Sequence, residues 1–127
     1  MELIAVVMSL LLLEYYVFVM LVGKSRMASG VLAPAMTGDA RLERALRVQT
    51  NTLEQLIVVL PAMWLFGLYL SATWGAVLGL VFGIGRLVYC IGYMADPAKR
   101  GPGFLIGFVA TLGLILGSLY GALVAAI

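Results

Sequence analysis

Four apolar stretches constrain this chain more than any other feature. Residues 3–22, 48–70, 74–94 and 104–127 each supply roughly 20 mostly apolar residues, enough to cross a ~30 Å hydrocarbon core as a helix. The segments between them cannot make up a water-soluble surface. Only 11% of the 127 residues are charged and the mean hydropathy is +1.12, whereas a soluble domain carries about a quarter charged residues. The expected class is therefore an all-α integral membrane protein, with one domain spanning residues 1–127. The first stretch is expected to be retained. It opens Met-Glu rather than with a basic region, and its apolar run is longer than a cleaved signal would need.

The cations lie at one end of these segments. Lys24, Arg26, Arg41, Arg44 and Arg47 fall between the first and second stretches, and Lys99 and Arg100 between the third and fourth. Arg86 lies within the third, and the short LSATW connection carries no charge. The positive-inside rule then predicts cytoplasmic loops at 24–47 and 95–103, with both termini on the outer side. Four helices so arranged make an up-down-up-down bundle. Glycines spaced by four (Gly75, Gly79 and Gly83; Gly113, Gly117 and Gly121) predict close helix approaches. Histidine is absent and Cys90 is the only cysteine, which excludes an intrachain disulfide and most zinc, haem and iron–sulfur sites, so no metal is expected. A net charge of +2 without a basic face gives no footprint for nucleic acid.

One segment breaks the apolar pattern. The stretch ERALRVQTNTLEQL at 43–56 runs directly into IVVLPAMWLFGLYL. At 100° per residue, Arg44, Arg47, Asn51 and Glu54 fall within an arc of roughly 80°, while Gln49 points about 160° away from Asn51. Thr37 or Asp39 offers an N-cap for this second helix. The third stretch has its own stripe of Arg86, Tyr89 and Tyr93. An arginine two turns inside the membrane needs a partner, because facing lipid costs at least ~3 kcal/mol, and Glu54 is the expected counter-ion. Such a pair would fix helix register. The stripe nevertheless holds more donors than one pair uses, and they suit a zwitterionic peptide. Guanidinium groups bind carboxylates in bidentate fashion, a carboxylate binds an ammonium, and Asn51 and the phenols bind amides.

The pattern E-R-x-x-R-x-Q-x-N-x-x-E at 43–54, with R-L-x-Y-x-x-G-Y at 86–93 and the Lys99-Arg100 pair, resembles the membrane-associated eicosanoid and glutathione metabolism family. The resemblance implies a homotrimer with glutathione, as co-substrate, bound between neighbouring subunits. It assigns glutathione contacts to Arg47, Asn51, Glu54, Tyr89 and Tyr93, and thiolate stabilisation to Arg100. Arg26 and Gln49 would reach the ligand of an adjacent subunit. Arg86 matches a family arginine with a ligand or structural role. Two positions depart from the family's leukotriene-forming branch. Gln55 stands where that branch has an aromatic residue, and Met27 where it has an arginine.

Two functions follow. One is a detoxifying enzyme that conjugates the glutathione thiolate to an apolar electrophile or lipid substrate arriving through the membrane, with glutathione peroxidase activity on lipid hydroperoxides as an extension. The other is a non-catalytic lipid-binding scaffold of the same fold. A proton-coupled transporter using Glu14 lacks a charged path through the outer half of the bundle. Glu14 is read as structural, Cys90 as a small buried residue, and Pro61 as a kink in the second helix.

Overall fold

The computed structural model describes all 127 residues and contains four long helices: α1 (Glu2–Ser29), α2 (Ala40–Tyr69), α3 (Ala72–Ala95) and α4 (Gly101–Ala126). A 3₁₀ turn, Pro97–Arg100, leads into α4. All four helices are long and apolar enough to span a membrane. Of 102 backbone–backbone hydrogen bonds, 93 lie inside these elements, so little backbone polarity is left for lipid to meet. Leu13, Met20, Ile57 and Ile84 point outward along the helices, as lipid-facing side chains do.

The cationic connection is shorter than the expected 24–47 loop. α1 runs on through Lys24 and Arg26 to Ser29, and α2 begins at Ala40, leaving only residues 30–39 outside helices. Arg41, Arg44 and Arg47 are therefore helical. The expected 95–103 loop likewise shrinks around the 3₁₀ turn, with α4 starting at Gly101. Local chemistry sets these limits. Gly30 ends α1 at φ 74°, a left-handed value that favours glycine, and its N–H donates to the Arg26 carbonyl at 2.9 Å. Asp39 caps α2 by accepting from the Leu42 N–H at 3.0 Å. Ser71 caps α3 in the same way, from Trp74 N–H at 3.2 Å, so α2 and α3 are joined by Leu70 and Ser71 alone.

Packing runs through glycines, but not as one continuous stripe. Gly75, Gly79 and Gly83 receive Ile4, Val7 and Leu11 of α1, whose spacing of three and four makes a single apolar ridge. Gly117 and Gly121 face Phe66 and the Tyr69 carbonyl of α2. The closest backbone approach is between α3 and α4, at positions the fours-spaced glycines do not include. A Cβ on Gly85 would lie 2.8 Å from Gly107 N, and one on Gly103 would run into the backbone of Tyr89. Pro61 lies inside an unbroken α2, and Ser118 of α4 donates to the neighbouring Ala62 carbonyl at 2.8 Å.

Candidate functional site

α2, α3, the 3₁₀ turn and the start of α4 enclose a polar cavity of about 330 Å³ at the end of the bundle that carries both charged connections. Its lining is Arg47, Asn51, Tyr89, Tyr93, Arg100 and Phe104. Five of these six were expected from the sequence; Phe104 was not. Helical spacing explains the convergence. Arg47 and Asn51 are one turn apart on α2, and Tyr89 and Tyr93 one turn apart on α3. Gly92 lets the 3₁₀ turn lie against α3, where any Cβ would approach the Lys99 carbonyl to 2.6 Å. Gly103 does the same for α4 against Tyr89. These two contacts bring Arg100 and Phe104 over the tyrosines.

The wall behind the cavity is organised by Arg86, which is fully buried. It does not line the cavity, and it does not pair with Glu54 as the sequence suggested. Its Nη2 donates to Asn51 Oδ1 at 2.8 Å and to Thr52 Oγ1 at 3.1 Å. Its Cζ lies 4.1 Å from the centre of the Tyr89 ring, a cation–π contact. Tyr89 in turn packs on Tyr93, with ring centres 5.6 Å apart. Asn51 therefore accepts from Arg86 through its carbonyl, and its NH₂ group has no partner within the chain. Thr52 was not anticipated. Its hydroxyl, which also donates to Val48 O at 2.7 Å, is the signal that a threonine beside Asn51 gives only once Arg86 is placed. Nε and Nη1 of Arg86 are buried without hydrogen-bond partners.

Glu54 opens instead into an adjoining cavity of about 200 Å³, shared with Asn51, Gln55, Phe108 and Thr111. Phe104 and Phe108 stack along α4 at 6.3 Å, continuing the lining from one cavity to the next. Val58 then links this cavity to an apolar groove of about 450 Å³ between α2 and α4, past Pro61 and Leu65. A polar cavity, a mixed cavity and an apolar groove thus follow one another along α2, sharing Asn51 and then Val58.

The remaining expected residues lie elsewhere. Gln49 donates to Tyr15 OH at 3.2 Å, on the far side of α2. Arg26 donates to the Ala35 carbonyl at 2.7 Å and pins the 30–39 connection. Arg44, part of the sequence stripe, caps the carboxyl end of α3 through Met94 O at 3.0 Å and Ala95 O at 3.3 Å. Arg47 and Glu54 have no ion-pair partner; the only ion pair in the chain joins the Met1 amine to Glu2. Arg100 spends one N–H on the Pro97 carbonyl at 3.0 Å and is otherwise exposed.

Residues 4–120 match the MAPEG family. The chain belongs to that family. Among similar proteins, an uncharacterized protein of Synechocystis is 44% identical over 115 residues, covering 91% of this chain and 84% of its own. Human microsomal glutathione S-transferase 2 is 36% identical over 107 residues, covering 84% of this chain and 70% of its own. Leukotriene C4 synthase of Cavia porcellus is 35% identical over 89 residues, 70% of this chain and 59% of its own. Membership in the MAPEG family, with relatives that are named for glutathione transfer, ties this four-helix membrane protein to glutathione-related chemistry.

Proposed function

We propose that the protein is a membrane-bound glutathione transferase. The observation that carries this reading is the convergence of Arg47, Asn51, Tyr89, Tyr93 and Arg100 on one cavity, with both arginines free of carboxylate partners. The cavity volume is at the lower end of the roughly 300–1,000 Å³ usual for small-molecule sites. A tripeptide with two carboxylates, an ammonium and two amides matches the groups around it. Arg47 binds a carboxylate, Glu54 the ammonium through the adjoining cavity, and Asn51 and the tyrosines the amides. Arg100 lies beside the thiol.

Arg100 acts on ionisation. A free thiol with a pKa near ~8.5 is mostly protonated at neutral pH. A neighbouring guanidinium favours the thiolate and lowers that value. The S–H proton leaves to solvent. The thiolate sulfur then forms a bond to the electrophilic carbon as the bond from that carbon to its leaving group breaks, and the leaving group departs with the electron pair. The electrophile enters from lipid along the α2–α4 groove, which supports an apolar substrate. Gln55 and Thr111 make the throat less apolar than an aromatic residue at position 55 would. The site works at the cytoplasmic edge of a homotrimer in which Arg26 and Gln49 reach a neighbour's ligand; their placement away from this protomer's cavity is consistent with that role.

Calorimetric titration of the detergent-purified protein with glutathione, followed by conjugation of a generic aryl halide, tests the reading. Binding with conjugation is expected. Binding without conjugation assigns the chain to the scaffold class, and neither overturns both. Cysteines introduced at positions 38 and 72, in a protein with Cys90 replaced, are expected to label from opposite sides of the membrane.

A further inference from the structure

A further cavity lies on a different face of the bundle from those described above. It has a volume of about 410 Å³ and opens where α1, α2 and α3 meet. Lys24 and Arg41 line its mouth, while Leu21, Cys90, Ile91 and Met94 form its walls. The Ser25 hydroxyl beside them is already donated to Leu21 O at 2.9 Å. We infer that this groove holds a phospholipid with an anionic headgroup, its phosphate between Lys24 and Arg41 and the upper part of an acyl chain against the apolar walls.

Charge and placement both support that occupant. Neither cation has an ion-pair partner in the chain, and no carboxylate lines the groove. Arg41 stands in the first turn of α2, where the helix dipole disfavours a cation and favours an anion. The Asp39 carboxylate already caps this helix end, so the guanidinium is the group left for an anion to meet. Lys24 lies just over one turn before the end of α1, at the same level of the bundle. From this polar rim the walls run inward: Leu21 lies one turn from Lys24 and Ser25 on α1, and Cys90 and Ile91 lie one turn from Met94 on α3. A charged rim over an apolar wall, at the boundary between the charged end and the spanning region, has the amphipathic order of a lipid. A soluble anion would use the rim alone and leave the apolar wall uncovered.

Native mass spectrometry of the delipidated protein, incubated with dioleoyl phosphatidylglycerol or dioleoyl phosphatidylcholine, tests this. Phosphatidylglycerol should remain bound, phosphatidylcholine should not, and excess inorganic phosphate should not displace the lipid. The Lys24→Gln/Arg41→Gln double variant should retain phosphatidylglycerol roughly 30-fold less well, from the usual attraction of two cations to an anionic headgroup. Lys99→Gln, a cation outside the groove, should bind as the wild type does. Ile91→Trp keeps both charges but fills the wall, and should lose the lipid too. Equal retention of the two lipids, or undiminished binding in the double variant, overturns the inference. Displacement by phosphate alone would make this a free-anion site. A disulfide between two copies of an Ile91→Cys variant would put a second protomer on the groove instead.

Discussion

Behind the candidate cavity, Arg86 is fully buried, hydrogen-bonded to Asn51 and Thr52 and stacked on Tyr89. At its mouth, Arg47 and Arg100 are exposed and unpaired. The same residue type serves opposite ends. The inner guanidinium still has two nitrogens, Nε and Nη1, without hydrogen-bond partners, each a cost of about 1–3 kcal/mol. It is therefore a poor device for stability, and what it supplies is the orientation of Asn51 and the seating of Tyr89. The mouth arginines contribute little to folding, because exposed charges contribute little. The comparison separates a buried arginine that is hydrogen-bonded within the wall from exposed arginines that are not, and on the proposed function substitutions should separate positioning from binding in the same way.

The largest effect is expected where the wall has no slack. Gly103→Leu forces side-chain atoms into the Tyr89 backbone and should destabilise the bundle by about 3 kcal/mol, read as a lowered unfolding midpoint in detergent. A variant as stable as the wild type would show that α3 and α4 are not held this closely. Next comes the mouth. Arg47→Ala should weaken glutathione binding by about 1.5–3 kcal/mol in a calorimetric titration, with stability unchanged within about 0.5 kcal/mol. Arg86→Met sharpens the contrast. It removes a buried charge in favour of a side chain that packs, so the unfolding midpoint should hold or rise. Glutathione affinity should nonetheless fall by about 1 kcal/mol as Asn51 loses its anchor. A large loss of stability with affinity intact would reverse the assigned roles. The smallest effect belongs to Arg44→Gln, which loses its bonds to Met94 O and Ala95 O. About 0.3–1 kcal/mol of stability should go, and binding should stay.

The four spans, the Asp39 cap and five of the six cavity residues were legible because each rests on one-dimensional information: apolar length, a capping side chain, and helical spacing of three and four. What was not legible depends on how helices meet. The stripe of Arg44, Arg47, Asn51 and Glu54 shares one face of α2, but neighbouring helices divide it. Arg44 goes to the end of α3, Arg47 and Asn51 to the cavity, and Glu54 to the adjoining chamber. Pairing Arg86 with Glu54 assumed that similar depth means contact, whereas Asn51 and Thr52, nearer on α2, take the guanidinium. Five of the six fours-spaced glycines are tight packing positions and Gly113 is not, meeting only Leu78 at 3.6 Å, while the tightest contact uses Gly85 and Gly103, which share no obvious period. Phe104 joins the site only because Gly92 and Gly103 draw the 3₁₀ turn and α4 onto α3.

The central claim is that Arg100 stabilises a glutathione thiolate, and the pH dependence of turnover tests it most directly. With glutathione saturating and an aryl halide as electrophile, the rate follows the thiolate fraction, rising with pH and levelling above the thiol pKa. On the proposed role Arg100 lowers that pKa, so Arg100→Ala should move the rise to higher pH, each unit representing roughly 1.4 kcal/mol. The deficit should be greatest in acid and shrink as hydroxide does what the guanidinium did, while glutathione affinity stays close to that of the wild type. Superimposable profiles for Arg100→Ala and wild type would contradict the account, leaving Arg100 as a cation of the 3₁₀ turn even where glutathione binds.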